Sequence, residues 1–441
     1  MNELPDTLTG LQHAFAHGGW SIESALDTQC QRLAQSGSQW KCIVRQLGDR
    51  PDAAAVARGP LSGIALAHKD IFDLAGWRPG VGRKAGLPMP GLRPASAVAK
   101  LTARGAANLA TLAMAEYACG ATAANPNFPR CVNPLQAAAV VGGSSSGSAV
   151  AVSAGLVYGS LGTDTAGSVR IPAATCGVLG LKTTHGLIAC DGVFPLAPSL
   201  DSVGILTRSA ADAWQLLQAV APRPERDMAP GHALRVRAWI PTRGLDPLVA
   251  AALEALLAEL DVVQRVDDWA PFGNLTRLSE VVLHAEAAQT HAAALRDGHA
   301  SPAVRDIALP GVVFPPSWHA AALSARGSHV QAFVRASLAD CDLFLLPALA
   351  CPVPDWDAVL PAEPGFDKRQ LSGLHRFMGW VNYLGLPSVV VPFGSDARGM
   401  PISVQAVARP FGERSLLGFA DALQSRRFGG RAFPRAFSPG V

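Results

Sequence analysis

The sequence has little charge for its length, and this shortage excludes several classes of protein. Charged residues are 16% of the 441 residues and hydrophobic residues are 49%, whereas soluble domains carry roughly 25% charged residues. A chain of this composition must bury much of its length, so it is neither disordered nor a coiled coil. Lys and Arg number 37 against 34 acidic residues. The formal charge of +3 gives no reason to expect a nucleic-acid partner.

Lysine is scarce among the basic residues. Only six of the 37 are lysines: Lys41, Lys69, Lys84, Lys100, Lys182 and Lys368. Arginine keeps its proton in proteins, whereas a buried lysine can lose its proton and become a base. A lysine in an apolar segment is therefore a candidate base, and ordinary surface roles are the simplest interpretation of the others.

The sequence also lacks the marks of a disulfide framework, a metal site or a targeting segment. The eight cysteines include no CxxC pair and no Cys/His cluster at zinc spacing, so we expect reduced thiols, no metal and a cytoplasmic protein. The N-terminus has no basic and apolar regions of a signal peptide. The longest uncharged stretch, 131–163, has GGSSSGS near its middle, which argues against a membrane span. No membrane association is expected.

Short apolar segments alternate with segments of helical period along the chain. This alternation predicts an α/β fold whose sheet is covered by helices on both faces. Residues 1–58 are predicted to form amphipathic helices that make a peripheral layer of the same domain. Residues 426–441, rich in Arg, Pro and Gly, are predicted to be a loosely held tail.

Lys69 is the lysine whose surroundings are most apolar. It lies in LAHKDIF, where a strand predicted at 64–67 leaves the core. Desolvation at such a position favours the neutral amine, which can accept a proton. The alternative is a surface lysine at the start of a loop, with its stem packed on apolar neighbours.

The run GGSSSGS at 142–148 lies between apolar flanks. A Gly-Gly turn lets the backbone approach another group closely, and the serines place several hydroxyls at a helix start. The apolar flanks argue against a flexible linker. A phosphate-binding P-loop is also disfavoured, because no GK[ST] follows.

The segment GTDTAGSVRIPAATCG at 162–177 places Ser168 at the tip of a predicted tight turn. Backbone N–H groups of such a turn can bind a developing oxyanion beside the serine hydroxyl. The alternative is a serine that caps the following helix. Arg170 is expected to fix the loop, with Asp164 as its partner.

A nucleophilic serine needs a base, and the sequence offers histidine or lysine. His68 and His185 are present, but there is no G-x-S-x-G elbow followed by Asp and His in hydrolase order. The alternative is a Ser–Lys system in which a neutral lysine takes the proton. The scarcity of lysine favours this alternative.

Together these segments resemble the amidase signature family. The family pattern is a lysine in a short K-D segment, a GGSSGGS loop and a G-[TS]-D-x-G-G-S-[IV]-R-x-P stretch, and here these stand at 68–70, 142–148 and 162–172. The resemblance continues through CGVLGLK, SLDSVGILTRS and the pair Asn133-Pro134, and weakly to the C-terminal segments. It is strong over 59–210 and loose elsewhere.

The resemblance implies a fold and a division of the chain. The fold would be a single large α/β/α sandwich with a central mixed, mostly parallel twisted sheet. The amidase signature domain would span 59–425, with core motifs at 59–210, a variable substrate region at 215–375 and C-terminal strands and a helix at 380–425.

The resemblance also implies an amide hydrolase that uses no metal and no organic cofactor. Ser168 would be the nucleophile, Lys69 the base, and Ser144 a bridging serine held by a cis peptide bond. The backbone N–H groups of residues 165–168 would form the oxyanion hole, so that Thr165, Ala166 and Gly167 would bind the substrate oxygen. Tyr117 would line the acyl pocket.

Three departures from the family pattern concern the substrate more than the chemistry. Ser146 and Ala166 replace glycines, and Thr183 stands where proline is usual. A Cβ at position 166 restricts the dihedral angles of that turn and narrows the pocket. Lys182 is a second lysine in an apolar segment, and the resemblance gives it a structural role.

Three functions remain open from the sequence. The leading hypothesis is a stand-alone amidase that converts a small-molecule amide to an acid and ammonia or an amine. The first alternative is the glutaminase chain of a tRNA-dependent amidotransferase, its A subunit, which would need partner chains; the near-neutral charge and divergent 215–375 region favour the free hydrolase. The second alternative is an inactive relative that serves as a binding protein. The oligomeric state is also open, with a homodimer as one option.

Overall fold

The computed structural model describes residues 3–48, 53, 56, 58–84, 93–222, 234–429 and 433. The strands are β1 (Ile43–Gln46), β2 (Ala65–Lys69), β3 (Ala107–Leu112), β4 (Gly159–Asp164), β5 (Leu179–Lys182), β6 (Ser202–Thr207), β7 (Val236–Trp239), β8 (Val262–Val266), β9 (Leu343–Pro347), β10 (Ser388–Ser395) and β11 (Pro401–Ala408). The helices are α1 (Leu8–Ala16), α2 (Ile22–Trp40), α3 (Ser96–Ala103), α4 (Ser146–Ser153), α5 (Arg170–Cys176), α6 (Ala210–Val220), α7 (Pro247–Leu257), α8 (Pro271–Thr290), α9 (Ala292–Arg296), α10 (Pro302–Val313), α11 (Pro316–Ser337), α12 (Trp356–Val359), α13 (Lys368–His375), α14 (Gly379–Tyr383) and α15 (Glu413–Phe428). A short 3-10 helix covers Glu116–Ala118.

All eleven strands of the described residues form one sheet, in the order β1-β3-β2-β4-β6-β5-β10-β11-β9-β7-β8. Pairing is parallel at β2–β3, β2–β4, β7–β8 and β7–β9, and antiparallel at the six other junctions. The predicted α/β class and mixed sheet are confirmed, but the expectation of a mostly parallel sheet is wrong. Short apolar segments do not encode strand direction. Residues 396–400 are too few for a crossover, so β10 and β11 form a hairpin.

Successive side chains of the strands enter two different cores, because they point to opposite faces of the sheet. On one face, Leu66 and Val389 pack in a core that includes residues of α1, α3, α6 and α15. On the other face, Ala67 and Val390 pack in a core that includes residues of α2, α4 and α5. Helices therefore cover both faces of the sheet, as the sequence predicts.

The N-terminal segment contributes more than the predicted helical layer. After α1 and α2 it forms β1, which pairs antiparallel with β3 at the edge of the sheet. At the other end of the chain, α15 continues to Phe428. The predicted tail lies largely outside the described residues, as do residues 223–233 of the predicted variable region.

Two further findings concern membranes and thiols. None of the helices in the described ranges is both long and apolar enough to cross a bilayer. All eight cysteines fall within those ranges, and none forms a disulfide.

Candidate active site

The C-terminal ends of β2 and β4 bring Lys69 close to the third sequence motif. These strands are parallel neighbours, with Leu66 of β2 level with Gly159 of β4. Three residues further along, β2 ends at Lys69, and β4 continues to Thr163 and Asp164. Parallel strands end at the same edge of a sheet, so this edge collects residues that are far apart in sequence.

Lys69 is buried and donates to two hydroxyls. Its Nζ lies 2.8 Å from Ser144 Oγ and 2.8 Å from Thr163 Oγ1. The side chain is 1% exposed. Burial lowers the pKa of Lys69 to about 7, against the opposing effect of the Asp201 and Asp164 carboxylates. A substantial fraction of this amine is therefore neutral near pH 7.

The GGSSSGS loop is held between two parts of the chain. The peptide bond Gly143–Ser144 is cis. The Ala115 N–H donates to the Ser144 carbonyl at 3.1 Å, and the Ser145 N–H donates to the Ser168 carbonyl at 3.1 Å. The loop thus places Ser144 beside Lys69 and joins it, through Ser145, to the turn that carries Ser168.

The turn after β4 is built around Asp164 and Arg170. The Asp164 carboxylate accepts the backbone N–H of Gly167 at 2.8 Å and that of Val169 at 3.1 Å. Arg170 donates to the same carboxylate through Nε and Nη2, at 3.0 and 2.9 Å. Burial acts to raise the pKa of Asp164, but the Arg170 guanidinium outweighs it and holds the pKa well below its usual range. Asp164 therefore stays ionised and fixes the turn.

The position of Gly167 corrects one expectation about the oxyanion hole. Its N–H donates to Asp164 Oδ1 and is not free to bind a substrate oxygen. Among the hydrogen bonds of the described residues, none uses the N–H of Thr165, Ala166 or Ser168. These three groups, with the Ser168 hydroxyl, are the donors that the turn can offer.

Tyr117, Phe194 and His291 form an aromatic wall of three neighbouring rings. The backbone of Tyr117 has φ of +50°, and its hydroxyl accepts from Arg83 Nη1 at 2.6 Å. The ring lies 5.6 Å from that of Phe194 and 4.8 Å from that of His291, between centroids. Burial lowers the pKa of His291 to about 4, so this ring is neutral at pH 7.

Comparison with known proteins identifies the family of this chain. The sequence model of the family named Amidase matches residues 33–237 and 316–417, which is more than half of the chain. The chain belongs to the amidase signature family. It is accordingly a hydrolase that acts on carbon–nitrogen amide bonds.

Relatives of this chain include both amidotransferase chains and amidases. The A subunit of the glutamyl-tRNA(Gln) amidotransferase of Bordetella avium is 32% identical, over 84% of both chains. A solved amidase structure is 28% identical with a TM-score of 0.84, over 96% of this chain and 100% of that one. Another solved structure, from a vestigial protein complex that bears on the origins of an s-triazine catabolic enzyme, is 26% identical with a TM-score of 0.85, over 97% and 99% of the two chains.

Two of the three departures of this chain from the family pattern make local hydrogen bonds. Ser146 begins α4 and its Oγ donates to the Ala113 carbonyl at 3.2 Å. Thr183 Oγ1 donates to the Val203 carbonyl at 2.8 Å. Ala166 is partly exposed, unlike its buried neighbours Thr165 and Gly167.

His68, a candidate base, and Lys182, expected to be structural, both have partners outside the Ser144–Ser168 site. His68 accepts the Leu161 N–H at Nδ1 (3.0 Å) and contacts Asn108 Oδ1 through Nε2 (2.8 Å). Burial lowers the pKa of His68 to about 4, so it is a neutral ring with both nitrogens occupied. Lys182 is buried, and its Nζ donates to the carbonyls of Thr183 at 2.9 Å and Leu386 at 2.8 Å. Its contacts are those of a structural residue.

Several residues of the site were not predicted from the sequence. Thr163 contacts Lys69, and Asp201 accepts from Thr165. Asn382 donates to the Asp164 carbonyl at 2.8 Å and to Oδ1 of the same residue at 3.0 Å. For Thr163 and Asp201 the only sequence signal was their position in the segments GTDTAGS and SLDSVG. Within the described part of the chain, no group of His, Cys, Asp and Glu could hold a metal ion.

Proposed function

We propose that this amidase hydrolyses a carboxylic amide through an acyl-enzyme on Ser168, with Ser144 as the bridging hydroxyl and Lys69 as the base. The observation that supports this best is the 2.8 Å hydrogen bond between Lys69 Nζ and Ser144 Oγ. A lysine that loses its proton near pH 7 is matched to proton transfer at that pH. Neither His68 nor His291 competes for the role, because burial keeps both rings neutral and weakly basic.

In the proposed reaction, Lys69 takes up one proton and later returns it. Neutral Lys69 accepts the proton of Ser144, and Ser144 accepts that of Ser168 as its Oγ attacks the amide carbonyl. The N–H groups of Thr165, Ala166 and Ser168 face the oxyanion that forms. The relay then returns the proton to the leaving nitrogen, and the C–N bond breaks to give an acyl-enzyme and ammonia or an amine. Water, activated by the same relay, releases the acid.

Two hypotheses about the substrate remain: a free amidase and an amidotransferase chain. The similarity to the Bordetella avium amidotransferase chain favours the amidotransferase hypothesis, in which the protein releases ammonia from glutamine inside a complex that acts on tRNA. The free amidase favoured by the sequence is supported by the solved amidase structure of similar coverage. The inactive binding protein is disfavoured, because Lys69 is buried, pairs with Ser144 and has a pKa of about 7.

Two measurements test the proposal. A fluorophosphonate probe should label the wild-type chain once, at Ser168, and should not label Ser168→Ala. Full labelling of that variant would rule out Ser168 as the nucleophile. Ammonia release should then be measured from glutamine and from a panel of aliphatic, aryl and amino-acid amides. Release from glutamine that needs added partner chains selects the amidotransferase hypothesis, and release from another amide by the chain alone selects the free amidase.

A further inference from the structure

Asp201 connects two loops of the site. It lies just before β6 and is 7% exposed. Its Oδ1 accepts the Thr165 hydroxyl at 2.5 Å, and its Oδ2 accepts the N–H groups of Leu196 at 2.9 Å and Ala197 at 3.2 Å. One carboxylate therefore holds the oxyanion turn against the loop that precedes β6.

That loop carries part of the aromatic wall. Phe194 packs on Tyr117, and its N–H donates to the Ile71 carbonyl at 3.0 Å, two residues after Lys69. The Asp201 carboxylate therefore connects Thr165 with the loop that carries Phe194.

The carboxylates of Asp201 and Asp164 both stabilise the ammonium form of Lys69, against the larger opposing effect of burial. The charge of Asp164 is compensated by Arg170. Asp201 forms no ion pair with any Lys, Arg or His of the described ranges.

Two thiols that interact electrostatically with Asp201 keep their protons at neutral pH. Burial raises the pKa of Cys119 well above its ordinary value, and the pKa of the Cys190 thiol, whose residue is exposed, is raised to about 11 by partial desolvation and the carboxylates of Asp201 and Asp191. Burial also raises the pKa of Asp201 to about 6, although the hydrogen bonds from Thr165, Leu196 and Ala197 act against this. Asp201 is therefore mostly ionised at pH 7, close to the pKa of Lys69.

We propose that Asp201 is a positioning residue of this enzyme, which joins the 165–168 turn to the 194–197 loop. This inference rests on the proposed role of Lys69 as the base. If Lys69 is the base, the Asp201 carboxylate raises the pH at which Lys69 becomes neutral. The charge of Asp201 thus contributes to the lower pH limit of activity, while its hydrogen bonds keep the turn in place.

Asp201→Asn separates the charge from the hydrogen bonds. The amide oxygen can accept the N–H groups of Leu196 and Ala197, and the amide nitrogen can donate to Thr165 Oγ1. The geometry is thus retained, while the charge is lost. Removing the Asp201 charge makes the ammonium form of Lys69 less stable, so the neutral base appears at lower pH.

The rate of fluorophosphonate labelling at Ser168, measured from pH 5 to 9, provides the test without knowledge of the substrate. We expect the pH midpoint of the labelling rate to be about one unit lower for Asp201→Asn than for the wild type, because the variant lacks one neighbouring negative charge. We divide each labelling rate by the plateau rate of the same protein. At one pH unit below the wild-type midpoint, this relative rate should be about fivefold higher in the variant than in the wild type. An unchanged or raised midpoint overturns the inference.

Three further variants make the result specific. Asp191→Asn removes an exposed carboxylate of a nearby segment, which accepts from Ser96 Oγ at 2.7 Å, and should keep the wild-type midpoint. Thr165→Val should lower the rate at every pH with no fall of the midpoint, because the Asp201 charge remains. If Asp201→Asn does not fold, Asp201→Ser replaces it in the comparison. A wild-type chain that is not labelled at Ser168 would refute the proposed function, whereas labelled chains with equal midpoints would refute this inference alone.

Discussion

Asp164 and Arg170 form an ion pair inside the protein, with Arg170 Nη2 at 2.9 Å from Asp164 Oδ1 and both side chains fully buried. Arg170 Nη1 also donates to Gln405 Oε1, and Nη2 donates to Asn382 Oδ1, each at 2.6 Å. The pair therefore connects the turn of Ser168 with β11 and α14. It is the structural support of the proposed nucleophile.

Arg170→Met should destabilise the fold and disturb the site together. The variant leaves the Asp164 charge buried without its cation, which costs about 3–5 kcal/mol of unfolding free energy. Fluorophosphonate labelling of the folded fraction should also slow, because the turn loses its anchor. Urea unfolding and labelling measure the two effects. A loss of stability below about 1 kcal/mol would contradict the assigned role of the pair.

Gly167→Ala should slow labelling of Ser168 strongly. Gly167 has φ of +109°, and a Cβ there would lie 2.6 Å from Met378 Cγ. Either the turn or Met378 must shift, which we expect to cost about 1–3 kcal/mol of stability and to move the free N–H groups of the turn.

Gly186→Ala is the matched control for this substitution. Gly186 also has a positive φ, +80°, but a Cβ there would meet no atom within 4 Å. It shares the backbone strain and lacks the clash, so its labelling rate should stay near that of the wild type. Equal rates for the two variants would show that contact with Met378 does not matter.

His68→Gln should leave the pH midpoint of labelling unchanged. His68 is neutral, with Nδ1 accepting from Leu161 and Nε2 paired with Asn108, so it has no free nitrogen to act as a base. The maximal labelling rate can change because two buried contacts are altered, but the midpoint of the pH profile reflects the pKa of Lys69. If the pH dependence disappears in this variant, histidine is the titrating group and the lysine relay is incorrect.

The three motifs single out the candidate site residues, whereas the sheet could be predicted only in outline. Lys69, Ser144 and Ser168 each lie in a local sequence pattern, so they could be named before the structure was known. Asp201, Thr163 and Asn382 act through side chains that only the fold brings together, and no local pattern marks their roles. The use of the Gly167 N–H by Asp164 depends on the dihedral angles of the turn, which the sequence does not specify.

The directions of the strands also could not be predicted from local sequence patterns. Val389 to Val391 and Leu343 to Leu346 are apolar runs that predict buried strands. Neither run indicates that β10 and β9 both pair antiparallel with β11. The α/β class follows from the alternation of elements, whereas the predominance of antiparallel pairing follows from connections and packing across the whole chain.

The lysine relay is best tested by the labelling rate of Ser168 as a function of pH, compared between the wild type, Lys69→Met and Lys182→Met. Both lysines are buried with pKa values lowered by burial to about 7, but only Lys69 contacts Ser144. We predict that the wild-type rate rises through about pH 7, where Lys69 loses its proton. The rate of Lys69→Met should fall at least about 100-fold and lose this rise, while Lys182→Met keeps the midpoint. A wild-type rate that does not vary with pH, or an unchanged rise in Lys69→Met, would contradict the assignment of Lys69 as the base.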